Sequence, residues 1–201
     1  MKKLLWGFLV TAAIAAMALP SFAALKQGQT APAFDAKASL DGKEIDFSLK
    51  EALKKGPVVV YFYPSAFTGG CNIEAHTFAV NHDKFEKAGA SIIGISHDNI
   101  ARLNAFSADP EYCAGKFAVA SDPDGAIAKS YDLKVYDKKP EAKDTRGELI
   151  DHAFTERTTF VITPDRKIAA VFSSADDKIS PTDHVTKSLT LVEQLSKPQP
   201  L

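Results

Sequence analysis

Thiols are scarce in this chain, which has two cysteines, Cys71 and Cys113, and two methionines among 201 residues. At most one internal disulfide can form, and a soft-metal site built from several thiolates is excluded. The Cys-x-x-Cys pair is missing as well: Glu74 stands three residues after Cys71 and Thr68 three before it. Dithiol exchange within one helical turn is thereby ruled out. No sustained Lys/Arg stripe accompanies the formal charge of −1, so nucleic acid and anionic membrane surfaces are not expected partners. Internal repeats and low-complexity tracts are absent too, and beyond residue 23 no stretch is apolar enough to cross a bilayer.

What is present begins with MKKLLWGFLVTAAIAAMALPSFA, residues 1–23. Lys2 and Lys3 precede an apolar run too short, and too closely followed by Pro20, for a stable span. Ser21-Phe22-Ala23 has the small-x-small form of a cleavage site. The pattern predicts a secretory signal peptide, a mature chain from Ala24, and no membrane attachment after cleavage. Losing the two lysines takes the formal charge from −1 to −3. The remaining 24–201 segment is long enough for one domain with a real core and too short for two. Export to an oxidising compartment, in bacteria the periplasm, makes a plain structural Cys71–Cys113 bond the alternative to any redox chemistry.

Along the chain, Asp41-Gly42 between two short strand patterns signals a hairpin. Ser48 and Glu51 read as a capping box for a short helix. Val58–Tyr63 and Ser91–Ser96 are continuous β-branched and aromatic runs, the pattern of strands covered on both faces. Between them a helix over Cys71–Lys87 shows two stripes, Ile73 with Val80 and Phe78 with Phe85. Strand, helix and strand make a parallel, right-handed crossover unit. Asp98 is expected to cap a second helix through Ile100, Leu103 and Phe106. Asp122-Pro123-Asp124-Gly125 reads as a turn rather than a calcium loop, since the later ligands of such a loop are missing. Residues 134–151 are polar and charged and are expected to form an exposed insertion loop. Thr158–Thr163 and Lys167–Phe172 form a hairpin, and Ser180 opens a last helix with Val185, Leu189, Val192 and Leu195 at core spacing. Parallel centre, antiparallel later strands and flanking helices predict an α/β chain folded as a three-layer α/β/α sandwich.

Cys71 falls after a buried strand, in the first turn of a helix opened by Thr68-Gly69-Gly70. Backbone N–H groups and the positive dipole end point at a sulfur so placed, a setting that favours the nucleophilic thiolate. A cysteine hydrolase would need a histidine base, yet His76, His82, His97, His152 and His184 sit in no recognisable signature and are read as solvated surface residues.

Pro64-Ser65-Ala66-Phe67-Thr68-Gly69-Gly70-Cys71 resembles the P-x-x-x-T-x-x-C pattern of the peroxiredoxins, the AhpC/TSA thiol peroxidases. Arg157, opening Thr158-Thr159-Phe160, resembles that family's later arginine. Tyr61-Phe62-Tyr63, Glu74 and Asp122-Pro123-Asp124-Gly125 resemble the bacterioferritin-comigratory or Q subgroup. The resemblance implies a thioredoxin-like fold with an N-terminal hairpin and no cofactor or metal. It implies a peroxidase in which Cys71 attacks hydrogen peroxide or an organic hydroperoxide. In that reading Thr68 and Arg157 hold the substrate oxygens, Pro64 shields the sulfur from water, and Glu74 orients Arg157. Position 76, where many Q-type members carry a resolving cysteine, is histidine here, so Cys113 is the implied resolving thiol, with one-cysteine chemistry as the alternative. A thioredoxin-like or small-thiol reductant would recycle the enzyme, expected as a monomer or weak dimer. The rival readings are a non-catalytic thioredoxin-fold binding or chaperone module with a structural disulfide, and a copper or haem-assembly thiol protein with a histidine ligand.

Overall fold

The computed structural model describes residues 24–197. The expected signal peptide, residues 1–23, lies outside them. Strands β1 (Asp35–Leu40) and β2 (Lys43–Ser48) form the N-terminal hairpin. Its two turn residues, Asp41 and Gly42, both have positive φ, 50° and 73°, as a turn matched to strand twist requires. Helix α1 (Leu49–Leu53) follows directly. The Ser48/Glu51 box does not form: Ser48 makes no cap bond, and Glu51 instead takes the Lys54 ammonium at 2.7 Å. Ser48 is committed to the β-ladder, where it pairs with Asp35.

The uninterrupted run Val58–Phe62 forms β3, buried at every position, and β4 (Ser91–Ser96) is buried at all but its first. They are parallel neighbours joined through α2 (Gly69–Lys87). The register sets Tyr61 beside Gly94. A Cβ on that glycine would lie 2.6 Å from the Tyr61 ring, so only glycine lets the aromatic lie across β4. On α2, Phe78 and Phe85 are buried, whereas Ile73 and Val80, the other expected stripe, are half or more exposed. The helix is covered on one side, by the sheet and the last helix, and its opposite stripe faces solvent.

Helix α3 (Ile100–Ala108) is capped by Asn99, whose side chain accepts from the Arg102 N–H at 2.9 Å. Asp98, the expected cap, is one residue too early and is fully buried in another network described below. Strand β5 (Ala118–Ser121) and helix α4 (Ala126–Ser130) flank the Asp122 turn. Both Asp122 oxygens accept α4 N–H groups, from Ile127 and Ala128, so this carboxylate serves a helix end and not an ion.

Within 134–151 the chain is mostly exposed but is not a free loop: Asp144 and Ile150 are buried. Two short strands, β6 (Val135–Tyr136) and β7 (Phe154–Thr155), pair across its base. Strands β8 (Thr158–Ile162) and β9 (Ile168–Ser173) form the later hairpin, followed by α5 (Ser174–Asp177) and α6 (Pro181–Leu195). At the start of α6, Ser180 and Asp183 form a reciprocal capping box with Pro181 at the first turn.

The main sheet runs β2-β1-β5-β4-β3-β8-β9, with β3, β4 and β5 mutually parallel and the remaining pairs antiparallel. Alternation along β3 divides the core. Val59, Tyr61 and Tyr63 pack with Phe78, Phe85, Leu103, Phe106, Val185 and Val192 on the α2, α3 and α6 face. Val58, Val60 and Phe62 pack with Leu49, Leu53, Ala128 and Tyr131 on the α1 and α4 face. Helices on both faces of one mixed sheet give the predicted three-layer, thioredoxin-like sandwich.

Candidate active site

At the C-terminal end of β3 the chain leaves the sheet through Tyr63, Pro64 and Ser65 and re-enters helix at Gly69, with Thr68 as N-cap in extended conformation. Cys71 therefore occupies the first turn of α2, 2 % exposed. Open α/β sheets present their ligands at this end of the strands. Next to β3 lies β8, antiparallel, with Phe62 opposite Thr158. Arg157, the residue before Thr158, is thus delivered beside the loop from 86 positions away in sequence, and its Nη2 donates to Cys71 Sγ at 3.1 Å.

Its Nη1 donates to Oε2 of Glu74, one helical turn after Cys71 and fully buried. Cys71, Glu74 and Arg157 form one cluster. Gly70 is part of why they fit: a Cβ there would lie 3.2 Å from the Arg157 guanidinium and 3.4 Å from Pro181 of α6. Thr68 sits at the mouth of the same turn, but its hydroxyl donates back to the Ser65 carbonyl at 2.8 Å. Pro64 is half-buried where the chain leaves β3.

Electrostatics around the cluster are set by burial. Burial pushes the Glu74 carboxyl up to about 7, while Arg157 pulls the other way. Burial alone would lower the Arg157 guanidinium, but Glu74 and Cys71 outweigh it and hold the cation more firmly charged. Behind Glu74 lies His184, fully buried, with Nδ1 4.0 Å from Glu74 Oε1, an oxygen with no hydrogen-bond partner among the described residues. Thr159 and Ser174 hydroxyls hold the two ring nitrogens at 2.9 and 2.8 Å. Burial, reinforced by the nearby Arg157 charge, pushes His184 down to about 4 and keeps it neutral.

His184 is one of four histidines that the sequence reading wrongly left on the surface, half-buried His82 among them. His97 is also buried, against Thr155, and His152 is half-buried. His152 Nε2 meets Asp98 at 2.8 Å in the network that holds the cysteine loop. The buried Asp98 carboxylate accepts the Ala66 N–H and the Ser96 hydroxyl, each at 2.7 Å, the Ser65 hydroxyl at 3.1 Å, and pairs with Arg102 at 2.8 Å. Burial opposes ionisation of Asp98, yet the bonds from His152, Ala66 and Ser96 win and keep it below the ordinary carboxylate range. His152 is raised in turn: burial would lower it, and the Asp98 bond and charge outweigh that. The sequence signal for this hub is an aspartate just beyond the second parallel strand, beside the loop after the first.

Cys113 lies in the turns after α3, fully buried in the same apolar cluster as Cys71, and both thiols are free. Burial pushes the Cys113 thiol well up, with Asp109 adding to the effect. A copper or haem-assembly site at Cys71 is opposed by the guanidinium on its sulfur, which repels a metal cation. A structural disulfide module gives no reason for that guanidinium, and the two cysteines are unbonded.

A helix-turn cysteine facing a buried arginine–glutamate pair on a thioredoxin-like sheet defines the thiol peroxidase class. Comparison with known proteins narrows this. The model of the AhpC/TSA family matches residues 27–171, and the chain belongs to that family. It is 30% identical over 174 residues to the chloroplastic peroxiredoxin Q of Populus jackii, covering 87% of this chain and 71% of that one. The crystal structure of peroxidoxin BcpB from Mycobacterium tuberculosis superimposes with a TM-score of 0.69 at 31% identity, over 85% of this chain and 98% of that one. The Xanthomonas campestris bacterioferritin comigratory protein, studied for alkyl peroxide reduction activity, gives a TM-score of 0.61 at 26% identity over 80% and 92% of the two chains. The protein is a thiol peroxidase of the peroxiredoxin Q or bacterioferritin-comigratory type, taking a peroxide and a thiol reductant.

Proposed function

We propose that the protein is an exported peroxidase in which Cys71 is the peroxidatic and Cys113 the resolving cysteine. The contact that carries this reading is Arg157 Nη2 on Cys71 Sγ at 3.1 Å, backed by Glu74. The Cys71 thiolate attacks one peroxide oxygen as the O–O bond breaks. Sulfur becomes sulfenic acid, and the other oxygen leaves as alkoxide or hydroxide and takes a proton. Arg157 lies where its N–H groups stabilise charge on the departing oxygen, and Glu74 fixes its direction. The Thr68 hydroxyl, on turning from the Ser65 carbonyl, is a further donor, and Pro64, with no N–H, offers water no foothold at the loop. The Cys113 thiol then displaces hydroxide from the sulfenic acid, giving the Cys71–Cys113 disulfide and water. A thioredoxin-like dithiol reduces that bond and is itself oxidised.

Organic hydroperoxides as well as hydrogen peroxide are proposed as substrates, following the alkyl peroxide activity of the Xanthomonas relative. Export to the periplasm rests on Lys2, Lys3, the apolar run and Ser21-Phe22-Ala23, which would leave one mature domain from Ala24. Rapid mixing of the reduced protein with hydrogen peroxide or an alkyl hydroperoxide, with Cys71→Ser and Cys113→Ser beside it, tests the cycle. Loss of all peroxide consumption in Cys71→Ser, and a single turnover ending in sulfenic acid in Cys113→Ser, are expected. Full turnover in Cys113→Ser with a thioredoxin-like reductant would remove Cys113 from the cycle.

A further inference from the structure

Phe67, four residues before Cys71, is buried with φ at 59°. A bulky aromatic residue keeps that left-handed conformation only where its surroundings over-determine it. Here they come from the 134–151 segment. The Phe67 carbonyl accepts both the backbone N–H and the hydroxyl of Thr145, each at 2.9 Å. The guanidinium of Arg146 lies over the Phe67 ring, Cζ 3.4 Å from the centroid. Arg146 is aimed by the buried Asp144, which takes its Nε and Nη2 at 3.1 and 2.9 Å. Asp144 also binds Arg102 at 2.8 Å, and Arg102 donates to the Ala66 carbonyl at 3.0 Å. The edges of the Phe67 ring meet Phe106 and Tyr112, centroids 5.0 and 5.6 Å away, and Tyr112 immediately precedes Cys113. One clamp therefore grips the cysteine loop at two successive carbonyls, and the ring beneath it abuts the segment of the second thiol.

We propose that Arg146, held by Asp144, is a positioning residue that keeps the Cys71 loop folded and so sets the fate of the oxidised enzyme. The inference rests on the Cys71–Cys113 cycle above. Both thiols are free and buried in the apolar cluster, and in this proposal opening of the start of α2 or of the Cys113 turns is what lets the sulfurs reach bonding geometry. Until that happens the sulfenic acid remains beside Arg157, where a second peroxide molecule oxidises it to sulfinic acid with release of water or alcohol. Loop opening leads instead to the disulfide, with release of water. The strength of the clamp determines the partition between the two.

The test compares wild type, Arg146→Ala and Arg146→Lys by quenched-flow mass spectrometry after hydrogen peroxide. Arg146→Ala is expected to speed disulfide closure, and to cut the sulfinic fraction per turnover, by about five-fold, the factor a partly desolvated cation–π contact represents. The first oxidation step should keep its rate, a result that general loosening of the fold would not give. Lysine keeps the charge but loses the two-pronged grip on Asp144 and should fall between; it also serves if the alanine variant fails to fold. In a second arm, alkylation of Cys71 is timed in reduced Cys113→Ser with and without Arg146→Ala, and should accelerate about five-fold on the same grounds. Unchanged partition and unchanged alkylation would overturn the inference. A wild type that forms no Cys71–Cys113 bond would overturn the resolving role alone, since the alkylation arm still decides on the clamp.

Discussion

Glu74→Gln isolates the most heavily perturbed carboxylate in the site, and its effect can be worked out in advance. Burial raises Glu74 from an ordinary 4.5 to about 7. A raised carboxyl supplies stability that is fully present below its unfolded value and is lost as pH climbs through its folded one. The shift amounts to roughly 3 kcal/mol in all, most of which disappears between about pH 5 and pH 8. His184 works with the opposite sign: pushed from 6.5 to about 4, it supplies stability at neutral pH that is lost on acidification, ~2 kcal/mol over the same interval. The two titrations nearly cancel in the wild type. Glutamine removes one of them and should expose the other. Urea unfolding of reduced wild type and Glu74→Gln, followed by far-ultraviolet circular dichroism at both pH values, gives the double difference. The variant should gain roughly 2–3 kcal/mol relative to wild type on going from about pH 5 to pH 8, the titrations of distant groups cancelling. Equal pH profiles would show that Glu74 ionises as an ordinary surface carboxyl, a relative loss at the higher pH would show that its folded pKa is lowered, and either would refute the reasoning.

Two further outcomes follow from the same geometry. Arg157→Lys retains a charge but not a fork that reaches Cys71 and Glu74 together, and should lower the second-order rate of sulfenic acid formation by about 100-fold, measured by stopped flow; a loss under about three-fold would mean that charge alone suffices. Gly94→Ala drives a methyl group to within 2.6 Å of the Tyr61 ring and should cost ~1–3 kcal/mol by urea unfolding, an unchanged midpoint counting against tight packing there.

The Cys71 loop was legible because its information is local. The octapeptide ending at Cys71 specifies strand end, turn and helix start in eight consecutive residues, and Arg157 lies in frame at the start of a strand pattern. The same holds for the hairpins and for the helix start at Ser180, where propensity and spacing act over three or four residues. What was missed depends on contacts far apart in sequence. A histidine at position 184 looks solvated until α6 lays it against Thr159, Ser174 and Glu74. Asp98 reads as a helix cap because the hydrogen bonds that claim it come from Ala66, 32 residues earlier, and His152, 54 residues later. The charged stretch 134–151 looks like a solvated loop, since composition does not reveal that Asp144 turns inward to two arginines. Ile73 and Val80 look like core because periodicity marks a stripe without saying which stripe the sheet will cover.

The separation of the sulfur from its cation by 86 positions bears on how the chain is made. A ribosome delivers Cys71 and the whole of α2 well before it delivers Arg157, and Pro181, which packs over Gly70 beside the guanidinium, later still. On the proposed mechanism a nascent or truncated polypeptide would carry the nucleophile without its guanidinium, and would gain peroxide reactivity only when its last third had docked.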